Sequence, residues 1–286
     1  MEFVEATPRI ELGMEVLQTS ARRPPGTTMS RVSMRILAGP LVLCCLLVAG
    51  CTAKPVTGFP SPVSSHTQTS QATRCVEMLA GSSITTTSRS CVVPVGPLLL
   101  GLDCSTVNAL PSDMYGETGG TIDTPTAVVV PIVNGRCRLS ADTNGQVTRI
   151  APAAQSPADV VGVVDFAVSS TDGVAGGISV RCGRVQCVTS ELYSPSSFYL
   201  QEGKDPNAMP IQIAGRKFTF AAGRTYRMVV VAVGDHVKAW IDGTLVGAGL
   251  AFVTSGGYVT VFVYDFGAHA TSYIDVQRFY ALVPSG

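Results

Sequence analysis

Gly223-Arg224-Thr225-Tyr226-Arg227-Met228-Val229-Val230-Val231-Ala232-Val233-Gly234-Asp235-His236-Val237-Lys238-Ala239-Trp240-Ile241-Asp242-Gly243-Thr244-Leu245-Val246 is the stretch that decides the fold. Two turn dipeptides, Gly234-Asp235 and Asp242-Gly243, divide runs rich in β-branched and aromatic residues. Glycine and aspartate tolerate the backbone of tight hairpin turns, so residues 225–233, 236–241 and 244–246 read as three successive antiparallel strands. Alternation within the second puts Val237, Ala239 and Ile241 on one face and His236, Lys238 and Trp240 on the other. One face belongs to a core.

The pattern continues on both sides. Short strands are predicted at 160–169, 176–181, 185–190, 197–201, 210–214 and 217–220 before the central stretch, and at 257–264 and 270–280 after it. No comparable length shows a 3.6-residue apolar period. Many short strands joined by glycine turns point to an all-β sandwich. Further upstream, residues 127–133 and 136–140 flank Asn134-Gly135, a strong hairpin signal; Pro131 demotes the first of these to an edge or a bulge. Asn144-Gly145 offers another turn. From Cys75 to Asp123 the pattern is poor, apart from the apolar run at 95–100. Residues 52–74 are rich in Ser, Thr and Pro and read as an extended tether of roughly 3 Å per residue.

Composition narrows the function. The chain is 46% hydrophobic and only 14% charged, with 20 basic and 20 acidic residues. The arginines are scattered among acidic residues rather than clustered, which argues against a nucleic-acid partner.

The region 159–283 resembles a concanavalin A-like lectin/glucanase domain of the laminin-G type, a jelly roll of two antiparallel sheets. Residues 173–181 are similar to that family's glycine-aliphatic-arginine strand, and Phe198-Tyr199-Leu200 to the strand after it. Residues 223–231 resemble its aromatic-arginine strand, 234–246 its hairpin with an aspartate-glycine turn, and 255–259 and 273–276 its closing strands. The resemblance implies a jelly-roll β-sandwich and a lectin-like binding domain.

Nearer the N-terminus, Leu46-Leu47-Val48-Ala49-Gly50-Cys51 resembles the lipobox of bacterial lipoprotein precursors. Arg31 and Arg35 supply a basic flank and residues 36–48 an apolar stretch, the layout of a secretory signal. That stretch is shorter than the roughly 20 residues that span a bilayer. The resemblance implies that residues 1–50 comprise an N-terminal extension and a removed signal. Cys51 would carry acyl chains, residues 51–74 would form the tether, and residues 75–286 would form a β-sandwich on the outer face of a bacterial cell membrane. Glu2, Glu5, Glu11 and Glu15 do not suit the basic start of a signal, which points to initiation at Met29 or Met34.

The nine cysteines sort on the same basis. Cys44 and Cys45 leave with the signal, Cys51 is acylated, and six remain for disulfides in an oxidising compartment. Cys182 and Cys187 flank a four-residue tip at a position where opposed strands come within disulfide reach. Cys75, Cys91, Cys104 and Cys137 leave three pairings open, and a stapled cap over 75–125 is one way to use them.

Catalytic patterns are sparse. The glucanase branch of the family uses two glutamates on one strand, about 5 Å apart when retaining. Glu77, Glu117, Glu191 and Glu202 do not share one strand, and no Gly-x-Ser-x-Gly elbow occurs. The sequence therefore gives the expectation of no enzymatic activity and no cofactor, with calcium open and unassigned. Binding of a glycan, or of an envelope or host protein, remains, through aromatic rings and adjacent polar groups. Tyr193, Tyr199, Trp240, Tyr264 and Tyr273 are the aromatics able to face outward. Trp240, with His236 and Lys238 on the same face, and Tyr199 are the ligand candidates. The alternatives are a structural or host-interaction lipoprotein without sugar affinity, and a glycoside hydrolase.

Overall fold

A computed structural model describes residues 72–119, 126–141, 147–183, 186–193, 195–203, 210–266 and 272–285. The lipobox-like stretch, Cys51, most of the tether and the Asn144-Gly145 turn lie outside the described residues. Strands follow in the order Thr73–Val76 (β1), Thr85–Ser88 (β2), Val95–Asp103 (β3), Met114–Gly119 (β4), Thr126–Val128 (β5), Ile132–Val133 (β6), Arg136–Ser140 (β7), Val147–Pro152 (β8) and Val160–Val168 (β9). They continue with Val174–Cys182 (β10), Cys187–Tyr193 (β11), Ser197–Gly203 (β12), Ile211–Lys217 (β13), Tyr226–Val233 (β14), His236–Ile241 (β15), Thr244–Leu250 (β16), Tyr258–Asp265 (β17) and Tyr273–Pro284 (β18). No helix occurs among the described residues.

Among the described residues, two eight-stranded antiparallel sheets make the sandwich. The front sheet runs β13-β12-β11-β10-β17-β8-β4-β5. The back sheet runs β16-β15-β14-β9-β18-β7-β6, with β3 also paired to β18. The central hairpins form as expected: β14 pairs β15, and β15 pairs β16. Gly234, Asp242 and Gly243 all take the positive φ that such turns require. Val237, Ala239 and Ile241 enter the main core together with Phe166, Phe198, Phe279, Met228 and Ile178.

Three expectations need adjustment. Residues 210–214 and 217–220 do not form separate strands; one strand, β13, runs through Gly215 beside β12. The expected strand 127–133 breaks near Pro131, which has no N–H to give a ladder. Its first half, β5, lies in the front sheet and its second, β6, in the back sheet. The poorly patterned 75–125 region is shared out: β3 joins the back sheet and β4 the front, while β1 and β2 form a separate two-stranded sheet.

That small sheet caps the back sheet's outer face. Val76, Val93 and Val95 pack with Val161, Val163, Val229, Leu282 and Trp240 in a second apolar cluster. Cys75 is joined to Cys91, Cys104 to Cys137, and Cys182 to Cys187. Arg227 clamps the cap from below. Its guanidinium pairs with Asp165 through Nε at 2.6 Å and Nη2 at 2.7 Å, both side chains being fully buried. The same group donates to the carbonyls of Glu77, Ser82 and Ser83 at 2.8 to 3.0 Å. Arg278 adds a bond to the Ser82 carbonyl at 2.8 Å and one to Asp103 at 3.1 Å.

Candidate functional site

The front sheet's outer face carries the candidate site, and alternation decides what stands there. Val174, Ile178 and Val180 of β10 point into the core, so Ala175, Gly177 and Ser179 point outward. These are small. By the same rule β11 presents Thr189, Glu191 and Tyr193, β12 presents Ser197, Tyr199 and Gln201, and β17 presents Thr260, Phe262 and Tyr264. Strand β10 therefore forms the floor of a trough, with taller side chains of β11 and β17 as its walls.

Register fixes who faces whom. One row reads Gly215, Tyr199, Glu191, Gly177, Phe262, Arg149, Glu117 across successive strands. The next reads Ser197, Tyr193, Ala175, Tyr264. Gly177 is required: a Cβ there would fall on the carbonyl oxygen of Ser190 and within 2.9 Å of the Glu191 Cα. Main chain cannot yield as a flexible side chain can, so only glycine fits so close an approach.

Aromatic rings close one end of the trough. Phe266 stacks on Tyr193 at 4.3 Å between centroids and lies 6.0 Å from Tyr264, while Tyr193 meets Tyr199 edge-on at 5.3 Å. The floor is buried, as are Glu191, Thr260 and Phe262 on the walls; Tyr193, Tyr199 and Tyr264 are half-exposed and Phe266 is exposed at 38%. Rings of this kind offer apolar faces beside polar tips. Polar groups line the other end, where the Ser179 and Thr189 hydroxyls lie 3.1 Å apart.

Two carboxyl groups stand on this face in different states. Glu117 forms an ion pair with Arg149 at 2.7 Å, both side chains nearly buried. Burial pushes the Glu117 carboxyl above its ordinary range and the Arg149 guanidinium below its own, each partly offset by the other's charge. Glu191 has no cationic partner in its row before Arg149. Burial pushes its carboxyl up to about 8, which favours the protonated form near neutral pH. Its Oε1 accepts a hydrogen bond of 2.8 Å from the Gln201 amide. Four strand intervals separate Glu191 from Glu117, roughly 19 Å at 4.8 Å each. That exceeds the 5 to 9.5 Å of paired glycosidase carboxyls.

The ligand residues read from sequence separate. Tyr199 stands in the trough row. Trp240 lies on the opposite side of the molecule, on the back sheet's outer face, and is only 8% exposed because the cap covers it. Its ring fills a core rather than a ligand site, which corrects the grouping of Trp240 with Tyr199. His236 and Lys238 share that far face and stay exposed; His236 Nε2 lies 3.5 Å from Asp235. Tyr193 and Tyr264 join Tyr199. Tyr273 does not, and the Arg138 guanidinium sits 3.9 Å over its ring while bonding Asp275 at 2.8 and 2.9 Å. Glu191, Gly177, Phe262 and Phe266 went unrecognised as site residues, because only long-range register assembles them. Among the described residues, no three His, Cys, Asp or Glu side chains are grouped to hold a metal ion.

No protein-family model and no curated protein matches the chain. Solved structures do. SCLam, a non-specific endo-β-1,3(4)-glucanase from family GH16, superposes with a TM-score of 0.54 at 10% identity, covering 75% of this chain and 96% of that one. The catalytic domain of an endo-1,3-β-glucanase (laminarinase) from Thermotoga petrophila gives 0.51 at 10%, covering 68% and 100%. A protein from work on endo-acting O-glycanases of human gut microbiota gives 0.52 at 9%, covering 66% and 100%. The expectation of no enzymatic activity is thereby corrected: endo-glucanases work on this fold, and the lack of a glutamate pair on one strand does not remove the chain from their company. At these identities the likeness establishes the fold, which is the antiparallel jelly-roll sandwich of the concanavalin A-like lectins and glucanases.

Proposed function

We propose that this is an exported protein whose front-sheet trough binds a glycan chain. The observation that carries the reading is the cluster of partly or fully exposed rings, Tyr199, Tyr193, Phe266 and Tyr264, beside a floor of Ala175, Gly177 and Ser179. Aromatic faces next to a narrow groove with hydrogen-bonding groups suit a sugar ring, which has apolar faces and a polar rim. Glycan-array binding of residues 72–286 is the test. Tyr199→Ala and Phe266→Ala are each expected to weaken binding by about tenfold, the scale of one aromatic contact. Equal binding by both variants would sink the reading.

Hydrolysis of the bound glycan is the second reading, favoured by Glu191. A carboxyl kept protonated by burial is what a general acid needs. Release of new reducing ends from array-positive glycans, lost in Glu191→Gln, would establish it.

The anchor belongs to the same proposal. Three disulfides suit an oxidising compartment, and the lipobox-like sequence ending at Cys51 suits lipid attachment to the outer face of a bacterial cell membrane. Two or more acyl chains would make that attachment stable. Labelling with a fatty-acid probe is expected in the wild type and absent in Cys51→Ala. A labelled Cys51→Ala would refute the anchor.

A further inference from the structure

Resting on the anchor reading of Cys51, we propose that the face where the chain enters the sandwich docks on an anionic lipid bilayer. Three exposed apolar side chains stand there: Val92, Leu98 and Leu99 are 62%, 51% and 43% exposed. Local pairing brings them to the entry point. Residues 91–96 run along β1, with Cys75 bonded to Cys91 and bridged to Pro94, and the Val76 N–H bonded to the Val93 carbonyl at 3.0 Å. Leu98 and Leu99 follow on β3, and Leu98 shares with Arg74 a groove of about 340 Å³ between the cap and β3.

The free charge on this face is of one sign. Arg74 and Arg89 are exposed, and neither guanidinium meets a carboxylate among the described residues. Arg74 bonds to neutral oxygens, the Gly96 carbonyl at 3.3 Å and the Thr85 hydroxyl at 3.5 Å. Arg89 follows Ser88, which opposes Thr73 at the start of β1. Asp103 lines the same groove but is held by Arg278 at 3.1 Å. Arginines without acidic partners beside exposed leucines match a surface of lipid phosphates over acyl chains.

The point of entry argues for the bilayer over other occupants. The described domain starts at residue 72, and acyl chains on Cys51 would hold that point within about 70 Å of the membrane, the full stretch of the link. A contact so confined needs little affinity of its own. A partner strand is less suited. The edge of β3 is open, since β3 pairs with β18 alone among the described strands. Yet Pro97 brings no N–H, and register shifts on either side of Leu282 break the ladder. The trough lies on the other sheet, so docking leaves it turned away from the bilayer.

The test is flotation of residues 52–286 with vesicles. All described strands and all three disulfides lie within that span, and Cys51 does not. Vesicles of equal parts phosphatidylglycerol and phosphatidylcholine are expected to bind about tenfold more protein than phosphatidylcholine alone, and to release it in high salt. Arg74→Gln and Arg89→Gln are each expected to cost about fivefold, the scale of one basic residue at an anionic surface. Leu98→Asn combined with Leu99→Asn is expected to cost about tenfold. Arg216→Gln combined with Leu245→Asn alters an exposed basic and apolar pair on the opposite edge strands β13 and β16, and is expected to change nothing.

Equal binding to both vesicle types, or binding to neither, overturns the docking, and neither outcome depends on a variant folding. Loss confined to the Arg216 and Leu245 double variant overturns it as well, as does a dimer in solution that the Leu98 and Leu99 double variant dissociates. Fatty-acid labelling decides the anchor separately. A labelled chain whose domain binds no vesicle loses the docking and keeps the anchor; an unlabelled chain whose domain floats with anionic vesicles loses the anchor and keeps the docking.

Discussion

Arg227→Met is expected to lower folding stability by about 3–5 kcal/mol, the cost of leaving a buried carboxylate without its partner. Arg227 and Asp165 are both fully buried and doubly bonded, so removing the guanidinium strands Asp165 where water cannot reach it. The loss extends further. The carbonyls of Glu77, Ser82 and Ser83 lose donors at the same time, and the cap loses its hold on the back sheet. A denaturant titration followed by the fluorescence of Trp240, the chain's one tryptophan, reads the change where it happens. Arg138→Met is the comparison, because Arg138 and Asp275 are part-exposed and exposed pairs contribute at most about 1 kcal/mol. Equal midpoint shifts in the two variants would refute the special role of the buried clamp.

Glu191 gives the second large effect, and its sign is opposite to that of most carboxylates. Its ordinary value is 4.5 and burial raises it to about 8 in the folded protein. Between those values the unfolded chain gives up a proton that the folded chain keeps, so stability falls as pH rises through the window and levels off above it. Glu191→Gln has no proton to release. The variant is therefore expected to be more stable than wild type near pH 7 by about 2–4 kcal/mol, and to lose the slope across the window. Stability curves measured from acid to alkaline pH test this; a wild-type curve rising through that window, with Glu191→Gln less stable at neutrality, would show a paired carboxylate instead.

The two effects show where sequence was readable and where it was not. Hairpins were readable because their signals are local: Asn134-Gly135 and Asp242-Gly243 take positive φ in the structure, and β15 spans the expected residues. The inward residues of that strand followed from alternation alone. Its outward face was misread, since alternation says that Trp240 leaves the main core but not that residues from β1 to β3 return to cover it. The same limit hid the trough. Gly177, Glu191 and Phe262 meet because β10 pairs with both β11 and β17, and no local signal states that β17 returns beside β10. Glu191 looked like an isolated glutamate for that reason, and burial by its neighbours is what alters its chemistry.

The Cys75–Cys91 bond has a mechanical consequence. A pull applied to the chain at residue 72 reaches Cys75, crosses the disulfide to Cys91, and passes on towards β3, which is laced to β18 along the back sheet. Residues 76–90 lie off this load path. The segment that Arg227 and Arg278 grip therefore carries no tension while the bond is intact, and the tryptophan beneath it stays covered. Reduction would reroute the same force through that loop and set it against the arginine clamp, turning a static lid into the first part of the domain to yield.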